Sequence, residues 1–134
     1  MPEKQVGVIS CSGEECLGGT VSRLATRRVM ERLRVGEVVT LCLPLYISGG
    51  NEERDFAKNF PVIAVDGCDK CCAKRATLKY SGEVKDSMVV SDLIGEDSAL
   101  SKIVSARDLK EEHYQMVDKV AREISKKVDR ILGY

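Results

Sequence analysis

Residues 60–72 of the chain read FPVIAVDGCDKCC. The run Phe60–Val65 is short and mostly apolar, which is typical of a buried strand. Gly67 follows the strand, and Asp69 is a suitable cap for a helix predicted over Lys70–Lys79. A strand that passes through a short loop into a helix indicates a βαβ unit, so this stretch predicts a parallel sheet.

The same alternation of strand and helix continues on both sides of this stretch. Three further strands are predicted at Val6–Ser10, Glu37–Leu43 and Ser87–Ser91. Helices are predicted from Thr20 or Ser22 to Gly36, near 52–59, and from Ser105 or Asp108 to Leu132, with a loop over Asp92–Val104. We therefore predict one α/β domain over residues 1–134, a Rossmann- or flavodoxin-like three-layer sandwich with about four mainly parallel strands in the order 2-1-3-4.

Composition limits the classes of partner. Lys+Arg and Asp+Glu are equal at 21 each, so the formal net charge is zero. The overall charge therefore gives no reason to expect binding to nucleic acid or to an anionic membrane. No apolar run approaches the ~20 residues of a membrane span. Met1–Lys4 lead almost directly into the first strand, so we expect no signal peptide and a cytoplasmic location. Structural disulfides are rare in that compartment, so the six cysteines need another explanation.

Four of the cysteines follow predicted strands. Cys11 follows the first strand, Cys42 closes the second, and Cys68 and Cys72 follow the third. Because the carboxyl ends of parallel strands open on one edge of the sheet, we expect these four thiols to converge on one crevice. Four thiolates at one point suit Zn²⁺ or an iron–sulfur cluster better than a hydrophobic core.

Two other interpretations of the cysteines stay open. A thiol-based redox or sulfur-transfer enzyme would use a thiol of low pKa among Cys11, Cys68 and Cys72, with Cys16 or Cys71 as its resolving partner. Alternatively, the cysteines are small buried hydrophobic residues, as free cysteines often are. The only histidine, His113, lies near the apolar stripe of the last helix, and we expect it to be a packed residue rather than a metal ligand.

The loop after the first strand is rich in glycine. Gly13, Gly18 and Gly19 precede the helix predicted from Thr20, and backbone N–H groups at such a place can cradle an anion. The loop matches neither a Walker A loop nor the dinucleotide fingerprint, and a plain tight turn is the alternative. The helix that follows is basic, and we expect a solvated face or, as the alternative, a surface for phosphate or a partner. Its arginines are Arg23, Arg27, Arg28, Arg32 and Arg34.

These motifs resemble the DGC-domain family, which takes its name from an Asp-Gly-Cys sequence. The resemblance lies in Asp66-Gly67-Cys68 with Cys72-Ala73-Lys74 after it, and it extends to three other stretches. They are Cys11-Ser12-Gly13, Cys42 near the end of the second strand, and Val89-Val90-Ser91-Asp92-Leu93. The resemblance covers most of the chain, and it implies a zinc site of four cysteines, since zinc is inferred for that family from its cysteines. They map onto Cys11, Cys42, Cys68 and Cys72, with Cys16 and Cys71 outside the set.

Overall fold

The computed structural model describes residues 4–11, 16–101 and 105–134. Its centre is a four-stranded sheet in the order β2-β1-β3-β4. The strands are β1 (Val6–Ser10), β2 (Val38–Val39), β3 (Val62–Asp66) and β4 (Asp86–Val89). All three neighbouring pairs are parallel, with Val8 beside Ile63 and Val65 beside Met88. The predicted strand order and parallel sheet are therefore confirmed.

Helices connect the strands. The first connection is α1 (Leu17–Arg28), which continues as a π-helical turn over Val29–Leu33. Three short helices lie between β2 and β3: α2 (Leu45–Ser48), α3 (Asn51–Arg54) and α4 (Phe56–Asn59). The rest are α5 (Cys72–Tyr80), α6 (Val90–Ile94), α7 (Glu96–Ala99), a 3₁₀ turn over Ala106–Asp108 and α8 (Glu111–Leu132). No helix of the described ranges is long and apolar enough to cross a membrane.

The two faces of the sheet bury different side chains, because successive residues of a strand point to opposite faces. Val6, Val8, Ile63 and Val65 pack against α1 and α8 on one face. Ile9, Val62 and Ala64 pack on the other face against three aromatic and small residues. Those are Tyr46 of α2, Phe56 of α4 and Ala73 of α5. The predicted three-layer sandwich is therefore confirmed.

The second strand is much shorter than predicted. The run Glu37–Leu43 is apolar enough for a strand, but only Val38 and Val39 pair with β1. The Thr40 hydroxyl donates a hydrogen bond of 2.7 Å to the Val8 carbonyl oxygen, which a longer ladder would bond to a backbone amide of β2. The Thr40 side chain thus ends the ladder. Cys42 then begins a turn, in which its carbonyl oxygen accepts a hydrogen bond from the Leu45 amide at 2.9 Å.

Other helix boundaries also differ from the prediction. Helix α1 begins at Leu17, before the predicted caps Thr20 and Ser22. The predicted loop Asp92–Val104 contains most of α6 and all of α7, although residues 102–104 lie outside the described residues. Ser105 caps the 3₁₀ turn by accepting the Arg107 amide, and α8 begins only at Glu111. The boundaries differ because local sequence does not show which hydroxyl reaches a free amide.

His113 is a packed residue, as expected. It is 8% exposed, and its Nδ1 accepts the Lys110 amide at 2.9 Å, in the first turn of α8. The stripe that follows it buries Val117, Val120, Ile124 and Val128 against the sheet. A long amphipathic helix thus covers one face of the sheet.

An ion pair joins α8 to Arg34, the residue that follows the π-helical turn, and it should make the free energy of unfolding depend on pH. Arg34 donates to both Asp129 carboxylate oxygens at 2.7 Å, and these hydrogen bonds lower the pKa of Asp129. A lowered folded-state pKa stabilises the fold above the unfolded-state pKa of about 4, and the effect is lost as pH falls through the folded-state value. Asp129→Asn should therefore cost about 1 kcal/mol at pH 7 and clearly less at about pH 3, as measured by urea unfolding.

The matched control is on the same helix. Glu123 forms an exposed pair with Lys126 at 3.1 Å, so Glu123→Gln should change the free energy of unfolding by less than about 0.5 kcal/mol. A loss in Asp129→Asn that is equal at both pH values would show that the ion pair is not its cause.

Candidate functional site

Asp66, the last residue of β3, caps helix α5. Its carboxylate is 2% exposed and accepts the Ala73 amide at 2.6 Å and the Lys74 amide at 3.2 Å. Burial raises the pKa of Asp66, while these two amides act in the opposite direction. The predicted cap was Asp69, which is exposed, and α5 begins at Cys72 rather than Lys70. The Asp66 side chain reaches α5 because it is on the same face of the sheet as Val62 and Ala64, and that face packs against Ala73 of α5.

Gly67 allows two parts of the backbone to touch. A Cβ built on Gly67 would lie 2.5 Å from the Gly19 amide nitrogen and 2.6 Å from the Gly18 carbonyl carbon. A Cβ on Gly18 would lie 2.5 Å from the Gly67 carbonyl oxygen. No side chain fits between them, so the loop after β3 and the first turn of α1 are in direct backbone contact.

The Cys11 thiol lies beside this contact. Its sulfur accepts the Gly67 amide at 3.2 Å and lies 3.4 Å from the Ser22 hydroxyl oxygen, with which it shares a hydrogen bond. Cys11 is 7% exposed, and burial raises the pKa of its thiol. The Ser22 and Gly67 hydrogen bonds lower that pKa, whereas electrostatic interactions with Asp66 and Cys72 raise it further. The sulfur is therefore held in place as a neutral thiol.

The four predicted ligands all lie on the carboxyl side of the strands. Cys11 directly follows β1, and Cys42 lies three residues beyond β2. Cys68 lies two residues beyond β3, and Cys72 is the first residue of α5. Cys42 and Cys72 are exposed and Cys68 is half-buried, so only Cys11 is enclosed by packing.

The four cysteines border three separate hollows. Cys11 and Cys42 line one cleft, Cys68 borders a hollow with Asp92 and Glu96, and Cys72 borders a third hollow. In the part of the chain that the structure describes, no three His, Cys, Asp or Glu side chains form a group that could hold a metal ion. Convergence of all four sulfurs on one point stays a prediction.

The two remaining cysteines border the same loops. Cys16 is half-buried and immediately precedes α1. Cys71 precedes α5 with a φ of 53°, a left-handed conformation that is uncommon for a residue other than glycine. Burial raises the pKa of Cys71, and the negative charge of Asp66 adds to that effect. All six cysteines are free thiols.

The predicted anion loop is only partly described. Gly13 lies outside the described residues, while Gly18, Gly19 and Thr20 are buried in the first turn of α1. The Thr20 amide donates to the Cys16 carbonyl oxygen at 3.4 Å, and the Leu17 amide donates to Ser101. Gly18 has a packing role against Gly67, and anion binding by these residues stays a prediction.

The sequence indicates Ser22 only as a candidate helix cap and Arg23 only as part of a basic helix that could bind phosphate or a partner, and it gives no signal for Thr26. Ser22 contacts Cys11, and Arg23 and Thr26 line the cleft beside it. These positions are helical in the prediction too, so what the sequence lacks is the placement of α1 beside the end of β1.

The fold and its edge define a class of protein: a parallel three-layer α/β domain with thiols after three neighbouring strands. The family model of the DGC domain matches residues 7–120, so the chain belongs to the DGC domain family. That match includes all four cysteines of the predicted site and the Asp66-Gly67-Cys68 motif. No curated protein and no solved structure matches the chain.

Proposed function

We propose that this chain binds Zn²⁺ through Cys11, Cys42, Cys68 and Cys72, as an accessory protein in metal or sulfur handling. The observation that supports the proposal is the position of four free thiols on the carboxyl side of three neighbouring parallel strands. Thiolate is a preferred ligand of zinc, and four-cysteine sites are common among structural zinc sites. The donor set therefore fits the ion.

The contacts of Cys11 hold its sulfur in place before any metal binds, which suits a metal ligand. The Gly67 amide and the Ser22 hydroxyl hold its sulfur, and the Gly67 amide can go on donating to a thiolate. The raised pKa of Cys11 means that zinc must displace a proton from this thiol, as metals do when they bind cysteine. The exposed Cys42 and Cys72 are free of tight packing, so their side chains can rotate toward the ion.

The same residues bear on the alternative of a thiol enzyme. A nucleophilic cysteine needs a lowered pKa, from positive charge or a helix N-terminus. Burial raises the pKa of both Cys11 and Cys71, which opposes thiolate formation in the metal-free protein. This favours metal binding over redox chemistry at Cys11. An iron–sulfur cluster remains the alternative occupant, because four cysteines also hold such clusters.

The test is metal content and affinity in protein purified without oxygen. The wild-type chain should hold about one equivalent of Zn²⁺, by elemental analysis against protein concentration. Loss of a hydrogen-bond partner of a metal ligand lowers metal affinity by roughly 10–100-fold. Loss of a ligand itself should lower zinc affinity by more than that in each of four variants: Cys11→Ser, Cys42→Ser, Cys68→Ser and Cys72→Ser. Thermal stability should fall in the same variants, because metal-binding free energy contributes to folding.

The two remaining cysteines provide the matched controls. Cys16→Ser and Cys71→Ser should keep both the zinc and the melting temperature of the wild type. Brown protein with iron and sulfide would assign the site to an iron–sulfur cluster instead. Far less than one equivalent of any metal, together with a fast-reacting thiol and a reversible disulfide, would contradict metal binding and favour the redox alternative.

A further inference from the structure

A cleft of about 460 Å³ lies between α1 and the segment 40–44 that follows β2, with the end of β1 as its floor. This is the cleft that Cys11 and Cys42 line. Its size is within the usual range for small-molecule sites. It lies on the carboxyl side of the sheet, where α/β proteins of this type bind ligands.

The cleft has positive charge on one wall. Arg23 and Arg27 are one turn apart on α1 and both line it. None of the described residues that line the cleft is Asp or Glu. Arg27 also pairs with Glu31 at 2.5 Å, but the two side chains are 66% and 48% exposed, so the pair is weak and can open for a ligand.

A buried hydroxyl lies in the same wall. Thr26 is 2% exposed and lines the cleft between the two arginines in sequence. Its hydroxyl oxygen is buried and has no hydrogen-bond partner within the described part of the chain. Buried hydroxyls nearly always have a protein, water or ligand partner, so this one indicates a polar group that the cleft can admit.

The opposite wall is apolar. Leu41, Leu43 and Pro44 supply it from the segment after β2, and Leu24 and Met30 add apolar surface on the helical side. Arginines opposite an apolar wall are suited to a molecule with an oxyanion at one end and hydrocarbon at the other. Inorganic phosphate alone would leave the apolar wall in water.

We propose that this cleft binds a small organic anion, with a carboxylate or phosphate head at Arg23 and Arg27 and an apolar body along Leu41 and Leu43. The bound molecule would lie beside Cys11 and Cys42. The site does not depend on zinc, because its arginines, hydroxyl and apolar wall are present in the metal-free chain.

The test is an NMR titration of the full-length, ¹⁵N-labelled protein in EDTA. The probes are hexanoate and hexyl phosphate, with hexan-1-ol, hexylammonium and inorganic phosphate as matched comparisons. The two organic anions should shift the amides of Thr26, Thr40 and Cys42 in a saturable way, and the comparison molecules should shift them weakly. Arg23→Met should weaken anion binding by about tenfold or more, since a charge-assisted hydrogen bond is worth that much.

Arg32→Met is the matched control. Arg32 lines the groove between α1 and α8 but not the cleft, so this variant should bind the anions like the wild type. If Arg23→Met does not fold, Arg27→Met and the near-isosteric Thr26→Val carry the test, and both should weaken binding. Equal shifts with hexylammonium, shifts confined to the groove against α8, or wild-type binding by Arg27→Met would overturn the proposal.

The same experiments distinguish the zinc proposal from the anion proposal. Binding of organic anions in EDTA with no zinc in any preparation would support this cleft and contradict the proposed zinc function. Zinc binding with no saturable shift from either anion would do the reverse. Inorganic phosphate that binds as tightly as hexyl phosphate would also overturn the proposal, because the apolar wall would then contribute nothing.

Discussion

Gly67→Ala should destabilise the protein by about 3 kcal/mol or more, at or above the upper end of the range for overpacked sites. The new Cβ would lie 2.5 Å from the Gly19 amide nitrogen and 2.6 Å from the Gly18 carbonyl carbon. Both obstacles are backbone atoms of α1, so no flexible side chain can move aside. The loop after β3 and the helix would have to separate, which would expose the Cys11 thiol between them. Urea unfolding measures the loss.

Gly82→Ala is the control for a general effect of replacing glycine. Its Cβ would approach Ala57 at 3.5 Å, which is ordinary van der Waals contact. We expect a change within about 0.5 kcal/mol, or a small gain from the less flexible unfolded chain. Equal stability losses in Gly67→Ala and Gly82→Ala would contradict the close backbone contact.

Gly18→Ala tests the same contact from the other side. In a helix, alanine in place of glycine normally adds about 0.5–1 kcal/mol of stability. Here the Cβ would lie 2.5 Å from the Gly67 carbonyl oxygen, so we expect a loss instead. A gain in Gly18→Ala would show that the helix and the loop are further apart than the structure places them.

The sequence was sufficient to predict the architecture because its apolar runs are short and separated by helical stretches. The run Val6–Ser10 matches β1 residue for residue, and the strand order 2-1-3-4 matches the sheet. Parallel pairing then places Cys11, Cys42 and Cys68 on one edge, whatever the details of the loops. Edge positions follow from topology, which local pattern can predict.

The details of the site depended on contacts between residues far apart in sequence. The hydroxyl of Thr40 ends β2 by bonding to Val8, 32 residues away, and periodicity carries no signal of that bond. A glycine at position 67 indicates a turn and a close approach of the backbone, but the motif does not show that the element approached is α1. The cleft beside Arg23 likewise depends on how α1 lies beside the end of β1 and the segment 40–44, which the spacing of apolar residues does not show.

Asp66→Ala should cost about 2–3 kcal/mol, because hydrogen bonds to a charged acceptor are worth more than neutral ones and two amides lose their partner. Those amides belong to Ala73 and Lys74 in the first turn of α5, where helical N–H groups have no intrahelical acceptor. Water reaches this site poorly, since Asp66 is 2% exposed. Urea unfolding should show the loss, and hydrogen exchange at the Ala73 and Lys74 amides should become faster.

Asp69→Ala distinguishes this cap from the one that the sequence alone predicts. Asp69 is exposed, so its replacement should change stability by less than about 0.5 kcal/mol and leave exchange at the Ala73 amide unaltered. Asp66→Asn keeps one acceptor oxygen and should lose less than Asp66→Ala. If Asp69→Ala proved the more damaging variant, Asp69 would be the cap of α5. Asp66 joins β3 to the first turn of α5, where Cys72 lies, and Gly67 joins the end of β3 to α1 and to the Cys11 sulfur, so adjacent residues of one motif hold both cysteines in place.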